Sequence, residues 1–357
     1  MLGLRFSTLA ICLILSLQWI GPVDSKICQT HDNKVGKCKR PRDCPALQPI
    51  VKKLREGVPL TNEEKILKTS VATCIKKKTF CCEEPLNSTG LELLKENDNI
   101  CGNFVDFMVF NGRNIRPGSR PWMALLEYNV SGPIRTRFKC GGTLITPEFV
   151  LTAAHCIEDN LVSVRLGEHD LSQPIDCMVY GNKKKCLDRP LDVPVENWKI
   201  PEDYDDFHLL NDIALIRLRE PVQFTNWIRP ICLPLSLDVQ LDVQTGNTME
   251  VVGWGRTEKN ILSDVPKKAF VQRLQCGPDY ATTSSICIRT NGTDACAGDS
   301  GGPLAYATSY KGKQRLVQAG IVSYGIGRMH RCGQQPLAFY TDVVEFMAWI
   351  TETIVKK

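Results

Sequence analysis

Seventeen cysteines in a chain of 357 residues restrict the possible folds more than any other feature of this sequence. The chain opens with Arg5, an apolar stretch over residues 9–20 and small residues before Lys26, a pattern typical of a secretory signal peptide. Its removal takes Cys12 with it and leaves sixteen cysteines, an even number, in an oxidising compartment. We therefore expect a secreted, extracellular protein held by disulfides rather than one with metal or redox chemistry.

Six of the cysteines lie within residues 28–82, a unit too short to bury a large core without disulfides. Thr61 and Glu64 form a capping-box pattern before a second apolar run in this unit. Nothing in it indicates a nucleophile or a metal site, so we interpret it as a binding module. Apolar residues recur at helical spacing at its centre, at Leu47, Ile50, Val51 and Leu54.

Basic residues are concentrated in the same unit. Residues 26–82 contain 14 Lys or Arg against 5 Asp or Glu, whereas the whole chain has a net charge of +5. The basic unit is consistent with docking to an acidic partner or surface, and equally with a solvated lysine face. No nucleic-acid motif accompanies the charge. After the signal, no apolar run reaches the ~20 residues that a membrane-spanning helix needs.

Residues 83–100 are polar and contain little that could pack, which favours a linker. Beyond them, the runs ALIRL, MEVVGWG and AGIVSYG predict short strands, and Val162, Val164 and Leu166 alternate with polar neighbours as in a half-buried strand. Many short strands followed by one late helix indicate an all-β barrel fold. One apolar helical stripe closes the chain, at Val343, Phe346, Met347, Ile350 and Ile354.

Three short motifs in the β-rich part carry residues suited to nucleophilic catalysis. LTAAHC contains His155, NDIALIRL contains Asp212, and DACAGDSGGPL contains Ser300. A serine hydroxyl needs an adjacent base, and that base needs an orienting carboxylate. Glycines around Ser300 let its own N–H and that of Gly298 converge on a developing oxyanion. Each motif alone is also explained by a structural histidine, a strand cap or a tight turn, but their joint occurrence in this order is far more specific.

Residues 109–357 resemble a serine protease domain of the trypsin/chymotrypsin type, and the six-cysteine unit resembles the clip domain of arthropod serine proteases. RPWMALL (120–126) and GEHDL (167–171) are similar to stretches of clip-domain proteases from immune cascades. The resemblance implies a signal peptide (1–25), a clip domain (26–84), a linker and activation segment (85–108) and a protease domain (109–357). The implied fold is an all-β double barrel of two perpendicular six-stranded barrels, with the catalytic residues in the cleft between them and a C-terminal helix.

The resemblance also implies how the cysteines pair. The clip domain would contain three disulfides, a fourth would tether the linker to the protease domain, and four more would lie within the protease domain. All sixteen cysteines are then used. The implied pairs are Cys28–Cys81, Cys38–Cys74, Cys44–Cys82, Cys101–Cys232, Cys140–Cys156, Cys276–Cys287, Cys296–Cys332 and Cys177–Cys186.

By the same resemblance, Asp294 supplies the carboxylate at the base of a substrate pocket, which pairs an Arg or Lys side chain. The alternative interpretation of Asp294 is a partly exposed aspartate in a loop. Ser323 and Gly325 match the pocket wall, and Gly325 leaves room for a long side chain. Ala338 departs from the family, which usually has glycine there. We expect its methyl to narrow the pocket, lowering the overall rate while basic selectivity is retained.

The family is activated by a cut after Arg or Lys, and the new α-amine then pairs with the aspartate before the catalytic serine, here Asp299. In this chain VFNG is in register with the new terminus, so Val109 would become the first residue. The residue before it is Met108, and no Lys or Arg occurs between Lys95 and Arg113. We therefore expect an upstream protease that favours large apolar residues, or action without this cut.

The stretch RLGEHDLSQPIDC resembles a calcium-binding loop of related proteases. The implied ligands are the side chains of Glu168 and Asp176 and the carbonyls of Asp170 and Gln173, an oxygen set suited to Ca²⁺. An ordinary charged surface loop is the open alternative. No organic cofactor is expected. Three glycosylation sequons, each of which is also compatible with an unmodified residue, lie at Asn87, Asn129 and Asn291.

Taken with the resemblance, these residues indicate a secreted zymogen endopeptidase that cleaves after Arg or Lys in an arthropod innate-immune cascade, in melanisation or Toll-type signalling. Its implied partners are a downstream zymogen or pro-ligand, an upstream protease and serpin inhibitors, in a haemolymph-like fluid. One alternative is a non-catalytic clip-domain cofactor that binds cascade proteases, although such relatives typically lose the nucleophile. A weaker alternative, an adhesive or antimicrobial module, rests only on the basic unit.

Overall fold

The computed structural model describes most of the chain from residue 27 onward. The described residues are 27–29, 35–40, 44, 47–61, 80–83, 86–104, 115–132, 137–181, 183–257, 259, 261–276, 284–290, 295–326 and 337–356. Met108, Val109, Asp294, Asn291, Cys74 and Cys332 lie outside these ranges, as does the second apolar run of the amino-terminal unit.

The amino-terminal unit is a small antiparallel sheet of β1 (Ile27–Gln29), β2 (Val35–Lys39) and β3 (Phe80–Glu83), with helix α1 (Gln48–Arg55) beside it. Disulfides Cys28–Cys81 and Cys44–Cys82 hold this unit together. Leu47 and Ile50 are buried as the helical spacing predicts, whereas Leu54 is 48% exposed. Leu54 is exposed because the small core closes around Cys44, Cys82, Leu47 and Ile50 and does not reach the last turn of the helix.

Residues predicted as a linker form a further helix, α2 (Ser88–Lys95). The side chain of Asn87 caps it by accepting the N–H of Gly90 at 3.1 Å. Gly90 and Leu94 are buried on one face of the helix. The expectation that this segment contains little that could pack was wrong.

Eight strands follow helix α2. In chain order they are β4 (Met123–Tyr128), β5 (Phe138–Leu144), β6 (Phe149–Thr152), β7 (Leu161–Leu166), β8 (Cys177–Tyr180), β9 (Lys183–Cys186), β10 (Leu191–Lys199) and β11 (Ala214–Leu218). Six of them close the first barrel in the order β10-β11-β6-β5-β4-β7, and β8 and β9 form a separate hairpin.

Strand β7 departs from the predicted alternation at one residue. Val164 and Leu166 are fully buried, but Val162 is 43% exposed. The pairing of β4 with β7 shifts here, because Glu127 pairs with Ser163 and Tyr128 pairs with Leu161, which leaves Val162 unpaired. A β-bulge of this kind turns one side chain to the opposite face of the sheet.

The second barrel is closed in the order β12-β13-β14-β17-β16-β15, with helix α3 (Leu237–Thr245) leading into it. The chain ends in a 3₁₀ turn, Val343–Phe346, and helix α4 (Met347–Thr353), whose predicted apolar stripe is buried throughout. The two closed barrels and the late helix confirm the predicted fold class. The strands are β12 (Thr248–Gly253), β13 (Lys267–Leu274), β14 (Ser285–Arg289), β15 (Pro303–Tyr310), β16 (Lys313–Ile326) and β17 (Leu337–Asp342).

A buried ion pair joins the barrels. The guanidinium of Arg120, just before β4, donates to both carboxylate oxygens of Glu250 on β12, at 2.6 and 2.8 Å. The two side chains are 1% and 5% exposed. The ring of Phe104 lies 5.5 Å from the guanidinium carbon of Arg120. The pair therefore connects both barrels and the segment that follows the tethering cysteine.

The segment between the amino-terminal unit and the barrels is docked along the second barrel and the C-terminal helix. Helix α2 packs on α4, and the Asn87 N–H donates to the Thr351 hydroxyl at 3.1 Å. The Tyr310 hydroxyl donates to the buried Asp98 carboxylate at 2.6 Å, and the disulfide Cys101–Cys232 follows. Earlier in the chain, Lys37 Nζ donates to the main-chain carbonyl of Glu345 at 2.7 Å.

Substituting Gly90 with alanine is expected to displace α2 from α4. A Cβ at residue 90 would lie 1.8 Å from the Thr351 carbonyl oxygen, a backbone atom that cannot move away alone. Limited proteolysis with a glutamate-specific protease should then cut after Glu92 faster than in the parent protein. Ser88→Ala, which changes an exposed residue of the same helix and keeps the Asn87 sequon, should leave the rate unchanged. Equal rates for all three proteins would contradict the docking.

Six disulfides join described cysteines, and each joins two residues that the resemblance pairs. Cys38 and Cys296 are also disulfide-bonded, while Cys74 and Cys332, the partners expected for them, are not among the described residues. In the described part of the chain, no helix combines the length and the apolar composition needed to cross a bilayer.

Candidate active site

The three residues singled out as catalytic come from three different loops of the barrels. His155 lies in the 3₁₀ turn Ala154–Cys156 that follows β6, and Asp212 precedes β11, so both belong to the first barrel. Ser300 precedes β15 in the second barrel. The N–H of Gly141 on β5 donates to the Ser300 carbonyl at 2.7 Å, which holds the serine loop against the first barrel.

His155 and Asp212 are joined by two hydrogen bonds. Nδ1 of His155 lies 2.8 Å from Asp212 Oδ2, and the His155 main-chain N–H donates to Oδ1 at 3.0 Å. The carboxylate is fully buried, while the imidazole is 25% exposed. A proton on Nδ1 satisfies this arrangement and leaves Nε2, which lies 3.7 Å from Cys156 Sγ, as the unprotonated ring nitrogen.

Two further hydroxyl groups hold Asp212. Ser323 donates to Asp212 Oδ2, and the Thr341 hydroxyl donates to the Asp212 main-chain carbonyl at 2.7 Å. Burial alone would raise the pKa of the Asp212 carboxyl, but the hydrogen bond and charge of His155 and the Ser323 hydroxyl outweigh it. The pKa of Asp212 is therefore below its ordinary value, and the group is ionised at neutral pH.

These supporting contacts were not predicted. Ser323 was expected only as a wall of the substrate pocket, whereas its hydroxyl also bonds Asp212. The carboxylate also acts on Tyr204, because burial, and then the charge of Asp212, raise the pKa of Tyr204 to about 12. The Ser323 contact has no local sequence signal, because Ser323 and Asp212 are 111 residues apart in the chain.

Ser300 is half-buried, and among the described residues its side chain has no hydrogen bond to His155. The N–H groups of Gly298 and Ser300 have no acceptor in the described part of the chain, so both are available to a ligand oxygen. Gly298 has a φ of +102°, a conformation that favours glycine. The loop therefore leaves both N–H groups unbonded within the described residues, and the serine and histidine side chains are not joined.

Asp299 lies on the opposite side of the same loop. Its carboxylate accepts the N–H of Gly255 at 2.7 Å and the N–H of Cys296 at 2.8 Å. A Cβ on Gly253 or Gly255 would come within 2.0 or 2.2 Å of the carboxylate oxygens. The two glycines thus make room for Asp299 beside β12.

A cavity of about 170 Å³ opens beside Ser300. Ser323, Gly325 and Ala338 line it, and Ala338 is only 4% exposed. Phe339, next to Ala338, stacks on Tyr324 with ring centroids 4.7 Å apart. Ala295, the residue after Asp294 in the sequence, forms part of the cavity wall.

Ligand atoms of Cys140, His155 and Cys156 lie close enough together to resemble a metal site. Cys140 and Cys156 form a disulfide, so their sulfur atoms are not available as thiolate ligands. His155 is engaged by Asp212 through its other ring nitrogen. The cluster is therefore a disulfide beside the histidine and does not form a metal centre.

The predicted calcium ligands lie together in the loop after β7. Burial raises the pKa of Glu168 and of Asp176, and the charge of Arg165 partly offsets this rise for Glu168. Arg165 lies 3.2 Å from Glu168, and Asp176 accepts the N–H of Asp170 at 3.1 Å. The Asp170 carbonyl accepts the N–H of Gln173. The loop thus contains carboxylate and carbonyl oxygens, the ligand type that calcium prefers, although Glu168 is already paired with Arg165.

Two of the three glycosylation sequons lie in the described part of the chain. Asn129 is exposed directly after β4, whereas Asn87 is half-buried as the cap of α2.

Comparison with known proteins yields consistent similarities. The trypsin family profile matches residues 109–350. Serine protease grass of Drosophila melanogaster is 36% identical over 92% of this chain and 90% of its own length. Melanization protease 1 of the same species is 37% identical over 76% of this chain and 71% of its length.

A third relative and one solved structure extend these similarities. CLIP domain-containing serine protease HP8 of Bombyx mori is 39% identical over 71% of both chains. The crystal structure of the Drosophila Grass clip serine protease of the Toll pathway superposes with a TM-score of 0.69 at 33% identity, covering 92% of this chain and 97% of that one.

Proposed function

The chain belongs to the clip-domain serine proteases of the trypsin family, and on that premise we propose that it is a catalytically competent endopeptidase. It is secreted as a zymogen and cleaves a protein substrate after Arg or Lys in an immune cascade. The observation that carries the proposal is the buried Asp212 carboxylate bonded to His155 Nδ1 at 2.8 Å, beside a cleft that also contains Ser300.

In the proposed reaction, Nε2 of His155 accepts the Ser300 proton as the Ser300 oxygen attacks the scissile carbonyl. The negative charge of Asp212 stabilises the imidazolium that forms. The N–H groups of Gly298 and Ser300 bind the oxyanion, and His155 returns the proton to the leaving amine. The serine and histidine come within hydrogen-bond reach in the activated, substrate-bound enzyme, as is common for sites that tighten on binding.

Primary specificity is assigned to Asp294, which the family resemblance would place at the base of the cavity beside Ser300. An Arg or Lys side chain entering past Gly325 would meet this carboxylate, and charge pairing in a confined cavity favours a basic residue over an apolar one. The methyl of Ala338 reduces the space near that end. Arg peptides should therefore be cleaved with a much higher kcat/KM than Phe peptides, although the absolute rate should be low. Equal kcat/KM for the two peptides would contradict this assignment.

Labelling with a fluorophosphonate reagent tests catalytic competence. The cleaved protein should be labelled at Ser300, and Ser300→Ala should abolish the label. A cleaved parent protein that remains unlabelled would instead indicate a non-catalytic cofactor that binds cascade proteases. The presence of His155, Asp212 and Ser300 gives no support to that alternative.

Activation is proposed to occur at Met108–Val109. The α-amine of Val109 would pair with Asp299, which already lies beside Gly253 and Gly255, and this pairing would order the serine loop. After the cut, the amino-terminal part would stay attached through Cys101–Cys232. The upstream protease would favour a large apolar residue, since Met108 offers trypsin nothing to recognise.

Replacing Met108 with arginine is therefore expected to make the zymogen activatable by trypsin. The parent zymogen should gain little activity under the same treatment, because the residue directly before Val109 is not basic. Amino-terminal sequencing of the heavy chain should begin at Val109 in the activated variant. Efficient activation of the parent by trypsin at Met108–Val109 would rule out the proposed upstream preference.

Calcium is proposed to bind Glu168 and Asp176 with the carbonyls of Asp170 and Gln173, where it would neutralise two carboxylates and brace the loop. At a calcium concentration 100 times Kd the gain is about 2.7 kcal/mol, or roughly 5–10 °C in Tm. Differential scanning fluorimetry with calcium and then with chelator measures it. Asp176→Asn should lose the shift, and a parent Tm that responds to neither calcium nor chelator would dispose of the site.

A further inference from the structure

The hairpin of β8 and β9 carries an exposed run of three lysines. Lys183, Lys184 and Lys185 form most of β9, and every residue of this strand is exposed. The hairpin contains no Asp or Glu, and none of the three ammonium groups has a carboxylate partner among the described residues. Such a cluster of unneutralised charge repels itself unless an anion binds it.

The hairpin is also held in a fixed place. The disulfide Cys177–Cys186 closes its base, and the N–H of the buried Leu187 donates to the Asp176 carbonyl at 2.8 Å. The ammonium group of Lys185 lies 5.2 Å from the ring centroid of Trp227 on the first barrel. Because the lysines are positioned before any ligand arrives, binding would cost little ordering.

A groove of about 370 Å³ begins at the same tryptophan. Trp227 is therefore shared between the lysine hairpin and the groove. Leu191 is 41% exposed beside it, which is unusual for a leucine on a barrel strand. The other apolar side chains of the groove come from Val193, Pro194, Val222 and Ile228.

Three acidic residues line the groove, and one of them is neutralised. The Asp192 carboxylate is bound by Arg165 at 2.6 and 2.8 Å, and Asp188 also lines the groove. Glu220 also lines the groove. These carboxylates would repel an anionic ligand from the groove itself, so its negative charges must lie at the hairpin.

We propose that the hairpin and groove form a docking site, distinct from the catalytic cleft, for an extended acidic peptide segment of a protein partner. An apolar side chain of the segment occupies the groove beside Leu191 and Trp227, and the Asp or Glu residues next to it pair with Lys183, Lys184 and Lys185. The adjoining apolar groove favours a peptide over a sulfated polysaccharide, which has no side chain to fill it.

Fluorescence anisotropy on the full-length Ser300→Ala protein tests the proposal without requiring catalysis. The probe is a labelled peptide with two leucines followed by five glutamates, and its matched control has glutamines instead. The glutamate peptide should bind, more weakly at high salt, and the glutamine peptide should bind at least ~tenfold more weakly.

Variants separate the two parts of the site. Joint Lys→Gln substitution at 183, 184 and 185 should weaken binding at least ~tenfold, and Leu191→Ser several-fold. Lys199→Gln with Lys313→Gln, which changes exposed lysines elsewhere, should leave binding within about twofold. No binding of the glutamate peptide, or no effect of the triple substitution, would overturn the proposal. A heparin fragment that binds through the lysines while Leu191→Ser has no effect would also overturn it.

Discussion

Replacing Asp212 with asparagine is expected to lower kcat/KM of the cleaved enzyme about ten-thousandfold. The asparagine side chain fills the same volume but carries no negative charge, and its amide nitrogen can turn toward Nδ1 and favour the wrong tautomer of His155. Nε2 would then carry the proton and could no longer accept one from Ser300. Steady-state kinetics on an arginine peptide measure the loss.

Asp205→Asn provides a matched control. Asp205 Oδ2 also lies close to a histidine Nδ1, that of His208 at 2.7 Å, but this pair is exposed. Its loss should change kcat/KM by less than about twofold. Similar rates for the Asp212→Asn protein and the parent, with Tm unchanged, would mean that His155 does not act as the base.

Arg120→Met is expected to lower the free energy of unfolding by about 3–5 kcal/mol. Glu250 would remain almost fully buried, with Lys268 Nζ at 3.8 Å as its nearest remaining cation. A buried carboxylate left with only this longer ion pair is costly because water no longer solvates it. Equilibrium unfolding in urea with the disulfides intact measures the difference.

A double substitution tests whether the loss of stability arises from the buried charge of Glu250. Arg120→Met with Glu250→Leu should recover most of the lost stability, since an apolar pair of similar volume leaves no buried charge. Lys356→Met, which removes an exposed partner of Glu352, should change stability by less than about 1 kcal/mol. If the double variant is as unstable as the single one, packing rather than charge dominates.

The residues proposed for catalysis were accessible from sequence because each lies in a short motif with its own glycine, cysteine or strand context. The C-terminal helix was equally accessible, since its five apolar residues follow a helical period and all are buried. The disulfide pairs required the family resemblance, because sixteen cysteines allow far too many connectivities to be resolved by spacing.

Contacts between distant segments could not be predicted from the sequence. Arg120 and Glu250 are 130 residues apart, and neither is preceded by a pattern that indicates a buried charge. Helix α2 was missed because only Gly90 and Leu94 of its residues are buried, and they pack on a helix some 260 residues later in the chain. The exposure of Val162 depends on a bulge set by the pairing of two strands.

The docked course of residues 86–104 has a consequence for how a partner reaches the cleft. Helix α2, the Asp98–Tyr310 hydrogen bond and the Cys101–Cys232 disulfide keep the amino-terminal unit at the surface of the barrels. A protein bound by that unit would be held on the same molecule that carries Ser300, and its encounter with Ser300 would become intramolecular. Short tethers of this kind give effective concentrations in the millimolar range, far above those of dilute extracellular proteins.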